Sequence, residues 1–249
     1  METKVLAHRG ASAYAPENSL EAFSLAIDMR ADGIELDIYE TADGKLVIHH
    51  DNNIKRMSGI DAKISETDFE TLRSYNFSGE YGEKFGFVKI PTLSEVFDLF
   101  KPTDLKINIE MKEGTVNYIR AIDALVREYK MEDRIIYSSF DHFKLKRVKE
   151  INPTSKTGAL YCFNMACPWE YAKSAGFDAL HPSYDQIYKF EQEFGIDYIA
   201  SAHSLGIEVN PWTADKPGII HHLAELGADH IITNVPDIAL LQIQDIKNN

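Results

Sequence analysis

Three acidic residues lie near the predicted ends of two buried strands. Glu35 and Asp37 are one residue apart in the β-rich run GIELDI, so their side chains point to the same side of a strand. Glu110 lies near the end of a similar run, KINIEM. Neighbouring carboxylates repel each other unless one is protonated or a cation is shared. With no cysteine nearby, three carboxylates favour a hard divalent metal, Mg²⁺ or Ca²⁺, over solvated strand ends.

Histidines are predicted to reach the same region from two other parts of the chain. His8 ends the apolar run KVLAH. A hairpin that turns near Asp43 and Gly44 would bring His49 or His50 back beside the carboxylates. Two histidines can act as general base and general acid, because the unperturbed pKa of histidine lies near neutrality.

Two basic residues adjoin these groups. Arg9 directly follows His8, and Lys112 lies two residues after Glu110. The geometry of arginine suits phosphate oxygens. A metal, two histidines and two fixed cations together predict a site for the cleavage of a phosphoryl ester.

The elements that must position these residues alternate between short strands and helices. The β-rich runs predicted as strands are 4–8, 33–38, 106–111, 134–139, 157–162, 178–183, 206–212 and 229–234. The helical patterns between them are 19–29, 93–100, 116–129, 142–151, 168–176, 189–206 and 216–227. Eight such strands in 249 residues favour one α/β domain over residues 1–249, a (β/α)8 TIM barrel. An open doubly wound sheet is the alternative.

Two segments depart from simple alternation. Residues 39–91 separate the second strand from the next helix and contain the hairpin signal. The remainder of this segment is rich in Gly, Ser and charge, which predicts a small insertion or lid at the catalytic rim of the barrel. Before the first helix, Asn18 and Glu21 have the spacing of a capping box and predict the start of that helix.

Composition limits the classes of partner and compartment. The net charge is −13, from 39 acidic and 26 basic residues, which disfavours nucleic acid and anionic membranes but allows a small anionic substrate in a locally positive pocket. No apolar run is long enough for stable membrane insertion. The first predicted strand begins at residue 4, which leaves no room for a signal peptide, so a cytoplasmic location is expected. A homo-oligomer is left open.

Three segments carry a family resemblance. HRGASAYAPENSLEAF, IELDIYETADGKLVIHHD and IEMK resemble the glycerophosphodiester phosphodiesterase family, most specifically over residues 8–51. Weaker matches lie in SSFD, NPWTAD and ITNVPD, so the resemblance covers essentially the whole chain. It implies a (β/α)8 barrel with a small insertion after the second strand. It also implies metal-dependent hydrolysis of glycerophosphodiesters to sn-glycerol 3-phosphate and an alcohol, a reaction of lipid and glycerol metabolism.

The resemblance further implies roles for individual residues. His8 and His50 would be the acid–base pair, with His50 preferred to His49 because it precedes Asp51 as the family's His-Asp motif requires. Glu17 and Asn18 belong to the motif and are assigned to shaping the loop and the helix start. The implied substrate-binding residues are Arg9, Lys112 and the aromatic Trp212. The implied ligands of the divalent metal are Glu35, Asp37 and Glu110.

Three alternative interpretations remain at this point. A related barrel phospholipase or lyase that acts on lipid phosphodiesters would predict export and an exposed apolar rim. A metal-dependent aldolase or isomerase for sugar phosphates would need a Schiff-base lysine or another ligand set, and it leaves the paired histidines unexplained. A non-catalytic phosphodiester-binding barrel would have lost a catalytic histidine or carboxylate, and none is missing from the sequence.

Overall fold

The computed structural model describes residues 2–113 and 116–248, and within them eight parallel strands form a barrel-like sheet. The strands are β1 (Lys4–His8), β2 (Gly33–Glu40), β3 (Leu46–Ile48), β4 (Lys106–Met111), β5 (Ile135–Ser139), β6 (Lys156–Tyr161), β7 (Ala179–Pro182), β8 (Glu208–Val209) and β9 (His230–Thr233). Their order in the sheet is β8-β7-β6-β5-β4-β2-β1-β9, and β3 pairs with β2 alone.

Helices connect successive strands of the barrel. They are α1 (Leu20–Asp28), α2 (Lys55–Ser58), α3 (Phe69–Arg73), α4 (Gly82–Phe85), α5 (Leu93–Phe100), α6 (Val116–Glu128), α7 (His142–Ile151), α8 (Pro168–Ala175), α9 (Tyr184–Phe194), α10 (Tyr198–Ser204), α11 (Pro217–Glu225) and α12 (Pro236–Asn248). Short 3₁₀ turns occupy Ile64–Glu66, Gly79–Tyr81 and Glu132–Arg134. None of the described helices is long and apolar enough to cross a lipid bilayer.

Separate hydrogen bonds close the sheet between β8 and β9. The N–H of Asp229 donates to the carbonyl of Val209, and that of Ile232 donates to the carbonyl of Pro211, both at 3.0 Å. The eight parallel strands with helices between them confirm the predicted (β/α)8 barrel.

Alternation along β2 separates the core from the barrel interior. Ile34, Leu36 and Ile38 are fully buried in the main hydrophobic core. Glu35 and Asp37 point to the opposite side, into the barrel. Their position therefore follows from the period of the strand, as the sequence predicts.

The segment between β2 and α5 begins with the predicted hairpin and then forms its own small core. β3 returns antiparallel to β2, and the N–H of His49 donates to the carbonyl of Asp37 at 2.9 Å. The apolar residues buried together in this segment are Tyr39, Val47, Ile54, Ile64, Leu72, Phe77, Val88 and Ile90. The return of the hairpin brings its last residues to the level of the carboxylates.

Three sequence predictions about helices need correction. The helix predicted at 189–206 is two helices, α9 and α10, because Gly195 adopts φ 62° and ends α9, and Asp197 caps α10. Helix α12 is missing from the predicted elements, although Pro236 at its first position is a common start signal. The cap of α1 is Ser19, whose hydroxyl accepts from the N–H of Ala22, so Asn18 is not its cap.

Candidate active site

A small polar cavity lies at the carboxyl ends of the barrel strands. Its volume is about 80 Å³, well below the roughly 300–1,000 Å³ typical of small-molecule sites. Seven of the eight predicted site residues line it: His8, Arg9, Glu35, His50, Glu110, Lys112 and Trp212. The eighth, Asp37, is fully buried behind this lining. The cavity can enclose a phosphate and its nearest atoms, and the rest of a larger molecule must extend over the rim.

The three carboxylates belong to adjacent strands in register. Asp37 pairs with Glu110 across β2 and β4, and Glu35 lies two residues earlier on the same face. One carboxylate oxygen from each residue lies within 4.8 Å of the others. Burial, then the charges of Asp37 and Glu110, raises the pKa of Glu35 well above its usual value. Burial and Asp37 also raise the pKa of Glu110 to about 7.

Two cations offset part of this negative charge. Nζ of Lys112 lies 2.9 Å from Oδ1 of Asp37 and also contacts Glu110. Nε of Arg9 lies 3.3 Å from Oδ2 of Asp37. Burial alone would raise the pKa of Asp37, but Lys112 and Arg9 outweigh it and hold that pKa well below its usual range. Asp37 is therefore the carboxylate of the cluster whose ionised form is favoured most strongly.

The loop after β1 positions Arg9. Arg9 has a positive φ of 57°, and its backbone N–H donates to Oε2 of Glu35 at 3.1 Å. Gly10 is required here because a Cβ would lie 2.7 Å from the backbone of Ala22 in α1. The guanidinium donates to Glu17 at 3.0 Å. The turn after β1 therefore needs glycine at position 10 for a steric reason.

Asn18 contributes to the site more directly than the sequence predicts. Its Nδ2 donates to Oδ2 of Asp37 at 2.8 Å, and its Oδ1 accepts from the backbone N–H of Asp37 at 3.3 Å. The amide therefore holds the buried carboxylate in place. Of the two roles predicted for Asn18, shaping the helix start is wrong, because Ser19 caps α1, whereas the N–H of Asn18 does hold the loop by donating to the carbonyl of Arg9 at 2.9 Å.

A chain of hydrogen bonds orients His8. Nδ2 of Asn234 donates to Asp215 at 2.7 Å, because a carboxylate at that position can only accept. Oδ1 of Asn234 therefore faces His8 and accepts from its Nδ1 at 2.7 Å. This network assigns the proton to Nδ1 and leaves a lone pair on Nε2, which lies 3.8 Å from Oε2 of Glu35. Burial, with the charge of Arg9, lowers the pKa of His8 to about 4.

The two adjacent histidines of the hairpin have different surroundings. His50 lines the cavity, and its Nδ1 lies 2.7 Å from Oδ1 of Asp51. Burial lowers the pKa of His50, and the charge of Asp37 opposes this shift. His49 is buried on the other side, with its ring edge-on to Phe77 at 5.5 Å. The structure thus brings His50, and not His49, to the cavity beside His8.

Aromatic side chains also line the cavity, in addition to its charged residues. Trp212 donates from Nε1 to the carbonyl of His181 at 2.8 Å and packs edge-on against Phe140 at 5.5 Å. Phe140 lines the cavity but is 48% exposed, and Phe163 after β6 is 56% exposed. Trp212 thus lines the cavity, and its role as an aromatic wall beside the substrate stays a prediction.

The carboxylate cluster fits a hard divalent cation. Oε1 of Glu35 is buried and has no hydrogen-bond partner among the described residues. The two raised carboxyl pKa values show that like charge and burial are only partly offset by Arg9 and Lys112. Oxygen donors at this spacing are the ligands that Mg²⁺ and Ca²⁺ prefer. Glu35, Asp37 and Glu110 are the residues that would hold the ion.

Sequence reasoning missed several neighbours of the catalytic candidates. Asn108 could have been found, because it lies two residues before Glu110 and so shares its strand face. Asn234 and Asp215 gave only the weak signal of the ITNVPD and NPWTAD segments. Arg56 had no signal, since its contacts with Glu17 and Asp51 depend on how the insertion folds.

The family model and the known relatives that match this chain name the same family. The model of the glycerophosphoryl diester phosphodiesterase family matches residues 8–238. A glycerophosphodiester phosphodiesterase of Caldanaerobacter subterraneus subsp. tengcongensis is 36% identical over 240 residues, covering 95% of this chain and 96% of that protein.

Solved structures extend the comparison to the fold. A glycerophosphodiester phosphodiesterase from Thermotoga maritima is 32% identical with a TM-score of 0.77, covering 97% of this chain and 98% of that one. A phosphodiesterase from Oleispira antarctica, solved in complex with the product sn-glycerol-3-phosphate, has a TM-score of 0.88 at 23% identity. That likeness covers 98% of this chain and 97% of the other, and it supports the fold.

Proposed function

The chain belongs to the glycerophosphoryl diester phosphodiesterase family and is a phosphodiester hydrolase; from that premise we propose that it uses a divalent cation and two histidines to cleave glycerophosphodiesters into sn-glycerol 3-phosphate and an alcohol. One observation carries this proposal. His8 and His50 line the same cavity as Arg9, Lys112 and the carboxylate cluster. The product named for the Oleispira antarctica structure supports the same substrate class.

Arg9 and Lys112 place the substrate. Both are cationic and line the cavity, so they attract the phosphodiester anion and hold its non-bridging oxygens. A divalent cation held by Glu35, Asp37 and Glu110 would supply Lewis-acid stabilisation of charge on the phosphoryl oxygens. The small cavity excludes most bulk water around the phosphorus atom.

The hydrogen-bond partners of the two histidines favour different roles. Neutral Asn234 accepts from His8 and leaves Nε2 with a lone pair, which suits a general base. The carboxylate of Asp51 accepts from His50 and stabilises its imidazolium, which suits a general acid. His8 removes a proton from the nucleophile, which is either water or the 2-hydroxyl of the substrate. The 2-hydroxyl route first gives a cyclic phosphate, which a water molecule then opens to glycerol 3-phosphate. His50 protonates the leaving alcohol as its bond to phosphorus breaks.

Two substitutions test the acid–base assignment. General acid–base catalysis contributes about 10²–10⁴-fold to rate, so His50→Gln should lower turnover of sn-glycero-3-phosphocholine by that factor. His221→Gln is the matched control, because His221 lies on α11 and pairs only with Glu225 among the described residues. Release of glycerol 3-phosphate is the readout. Equal turnover in folded His50→Gln and His221→Gln would remove His50 from the mechanism.

The apolar side of the mouth favours a second substrate class, phosphodiesters with one acyl chain. Phe140 lines the cavity and is half-exposed, as is Phe163 just after β6, and exposed apolar surface commonly marks a ligand-binding groove. Asn164, the neighbour of Phe163 in the chain, lines a second groove of about 480 Å³ together with Trp169, Phe190 and Phe194. Below micellar concentrations, a higher kcat/KM for 1-acyl-sn-glycero-3-phosphocholine than for the deacylated compound would select this class. The reverse order would select deacylated glycerophosphodiesters.

A further inference from the structure

Asn108 has a buried side-chain amide at the wall of the cavity. It lies on β4, and its side chain is 1% exposed. Neither Oδ1 nor Nδ2 has a hydrogen-bond partner among the described residues. The residue nevertheless lines the cavity that contains His8 and Glu35.

The presence of a buried polar side chain without hydrogen bonds needs a physical explanation. Most buried polar side chains in proteins are hydrogen-bonded, because a donor or acceptor removed from water without a partner is destabilising. Leucine has almost the same shape as asparagine and would fill the position without this cost. An amide that has no partner among the described residues and is open to a cavity is therefore suited to a bound ligand.

The position of Asn108 identifies that ligand. Asn108 is directly opposite Glu35 in the register of β2 and β4, and it lies two residues before Glu110 on the same strand face. Its amide thus borders the carboxylate cluster. Among the described residues, Ser138 on β5 is also buried without a hydrogen-bond partner, and it lies opposite Glu110 in the register of β4 and β5, but it does not line the cavity.

We propose that Oδ1 of Asn108 is a further protein ligand of the divalent cation held by Glu35, Asp37 and Glu110. The inference rests on the proposed function, which requires that cation. Side-chain amide oxygens are ordinary ligands of hard cations. A neutral amide also adds a donor without adding a fourth negative charge to carboxylates that already repel each other.

The test uses three variants of the full chain. Asn108→Leu removes both polar atoms and keeps the branching of the side chain, and Asn108→Asp keeps an oxygen but removes the N–H donors. Ser138→Ala is the matched control for loss of a buried polar group outside the cavity. For each protein, isothermal titration with MgCl₂ and with CaCl₂ gives Kd, and thermal melts with and without metal give Tm.

A metal ligand predicts opposite effects on the free and the bound protein. Metal-free Asn108→Leu should melt at or above the wild-type Tm, because an unpaired polar group has been removed. Its Kd should rise at least as much as after loss of an outer-sphere partner, about 10–100-fold. Asn108→Asp should retain Kd within about tenfold of wild type while its metal-free Tm falls through charge repulsion. Ser138→Ala should leave Kd unchanged.

The outcomes separate this inference from the proposed function. A wild-type protein that binds neither ion overturns both. A wild type that binds metal, with Asn108→Leu binding equally well, overturns the inference and leaves the proposed function in place. Loss of binding in Asn108→Asp as well as Asn108→Leu would show that the N–H group matters and would overturn the assignment to Oδ1.

Discussion

Asn234 determines which nitrogen of His8 carries the proton and which keeps a lone pair. Asp215 fixes the orientation of the Asn234 amide, and the amide fixes the proton on Nδ1 of His8. Asn234→Leu removes this constraint, so a fraction of His8 should adopt the unreactive tautomer or rotate. We expect kcat on sn-glycero-3-phosphocholine to fall by about one to two orders of magnitude, within the range for acid–base assistance. Steady-state kinetics checks this.

The effect of this variant should be confined to kcat. Asn234 does not line the cavity, so KM should stay within about twofold of wild type if it only positions His8. Thermal unfolding of Asn234→Leu serves as the control that the variant is still folded. An Asn234→Leu enzyme with full kcat would show that His8 does not need this partner.

The raised carboxyl pKa values predict how metal binding depends on pH. Burial and Asp37 raise the pKa of Glu110 to about 7, and the pKa of Glu35 is raised as well. A carboxyl must lose its proton to bind a cation, so affinity should weaken as the pH falls from 8 to 6. Titration calorimetry with Mg²⁺ at pH 6, 7 and 8 measures this. The same Kd at all three values would mean that both groups are already ionised in the free protein.

At the residue scale, the sequence predicts side chains that share one strand and misses those that meet across the fold. Alternation along β2 is enough to place Glu35 and Asp37 on one side. The choice of His50 over His49 needed the adjoining Asp51 of the family motif, since geometry alone left both open. The partner of His8 comes from 226 positions along the chain, and no local pattern encodes that contact.

At the element scale, α2 of the insertion connects to two catalytic candidates. Arg56 donates to both oxygens of Glu17, at 2.7 and 2.8 Å, and its Nε donates to Asp51 at 2.8 Å. Glu17 also accepts from Arg9, and Asp51 is the partner of His50. One guanidinium of the insertion therefore contacts the partners of both Arg9, the proposed phosphate-binding cation, and His50, the proposed acid.

Arg56→Gln should raise KM and lower kcat together, because both supported groups gain freedom. Tm should change little, because exposed ion pairs contribute only about 0–1 kcal/mol and Arg56 is half-exposed. Lys55→Gln is the matched control on the same helix, since Lys55 pairs with Asp61 at the surface. Identical kinetics for the two variants would show that the insertion does not position the site.

Local turn chemistry decides which elements are predictable. Asp43 and Gly44 predict the hairpin correctly, because Gly44 supplies the positive φ that its turn needs. The same property of Gly195 was overlooked inside a helical pattern, and it separates α9 from α10. Helix α12 was missed although Pro236 marks its first residue.

At the scale of the whole molecule, close packing inside the barrel constrains its strands. A Cβ on Gly158 of β6 would lie 2.2 Å from Nε2 of His181, which is fully buried on β7. Overpacking a core typically costs about 1–3 kcal/mol, so Gly158→Ala should lower the free energy of unfolding by that amount. Denaturant unfolding monitored by circular dichroism measures this.

Gly218→Ala provides the matched control, since nothing lies within 4 Å of a Cβ there and Gly218 is in helix α11. Alanine stabilises a helix by roughly 0.5–1 kcal/mol relative to glycine, so this variant should be as stable as wild type or more stable. Equal stability of both variants would mean that His181 moves away from the added methyl group without cost.

The barrel as a whole was predictable, because the number and alternation of its strands and helices indicate this fold. Eight strand-like runs alternating with helices at this length leave few architectures. The backbone groups that close the barrel between β8 and β9 were not predictable, because the closure depends on individual hydrogen bonds such as those at Val209 and Pro211. The cavity is lined by both charged and aromatic side chains. This combination was not predictable either, because it depends on how loops from separate strands come together.

The most direct measurement is release of glycerol 3-phosphate from sn-glycero-3-phosphocholine by EDTA-treated protein, with and without added Mg²⁺ or Ca²⁺. The carboxylate cluster predicts almost no release without metal and restored release with at least one of the two ions. Full release by the metal-free protein would contradict the proposed metal-dependent hydrolysis. Absence of release with either ion, on glycerophosphodiesters of choline, ethanolamine, glycerol and inositol, would contradict it as well.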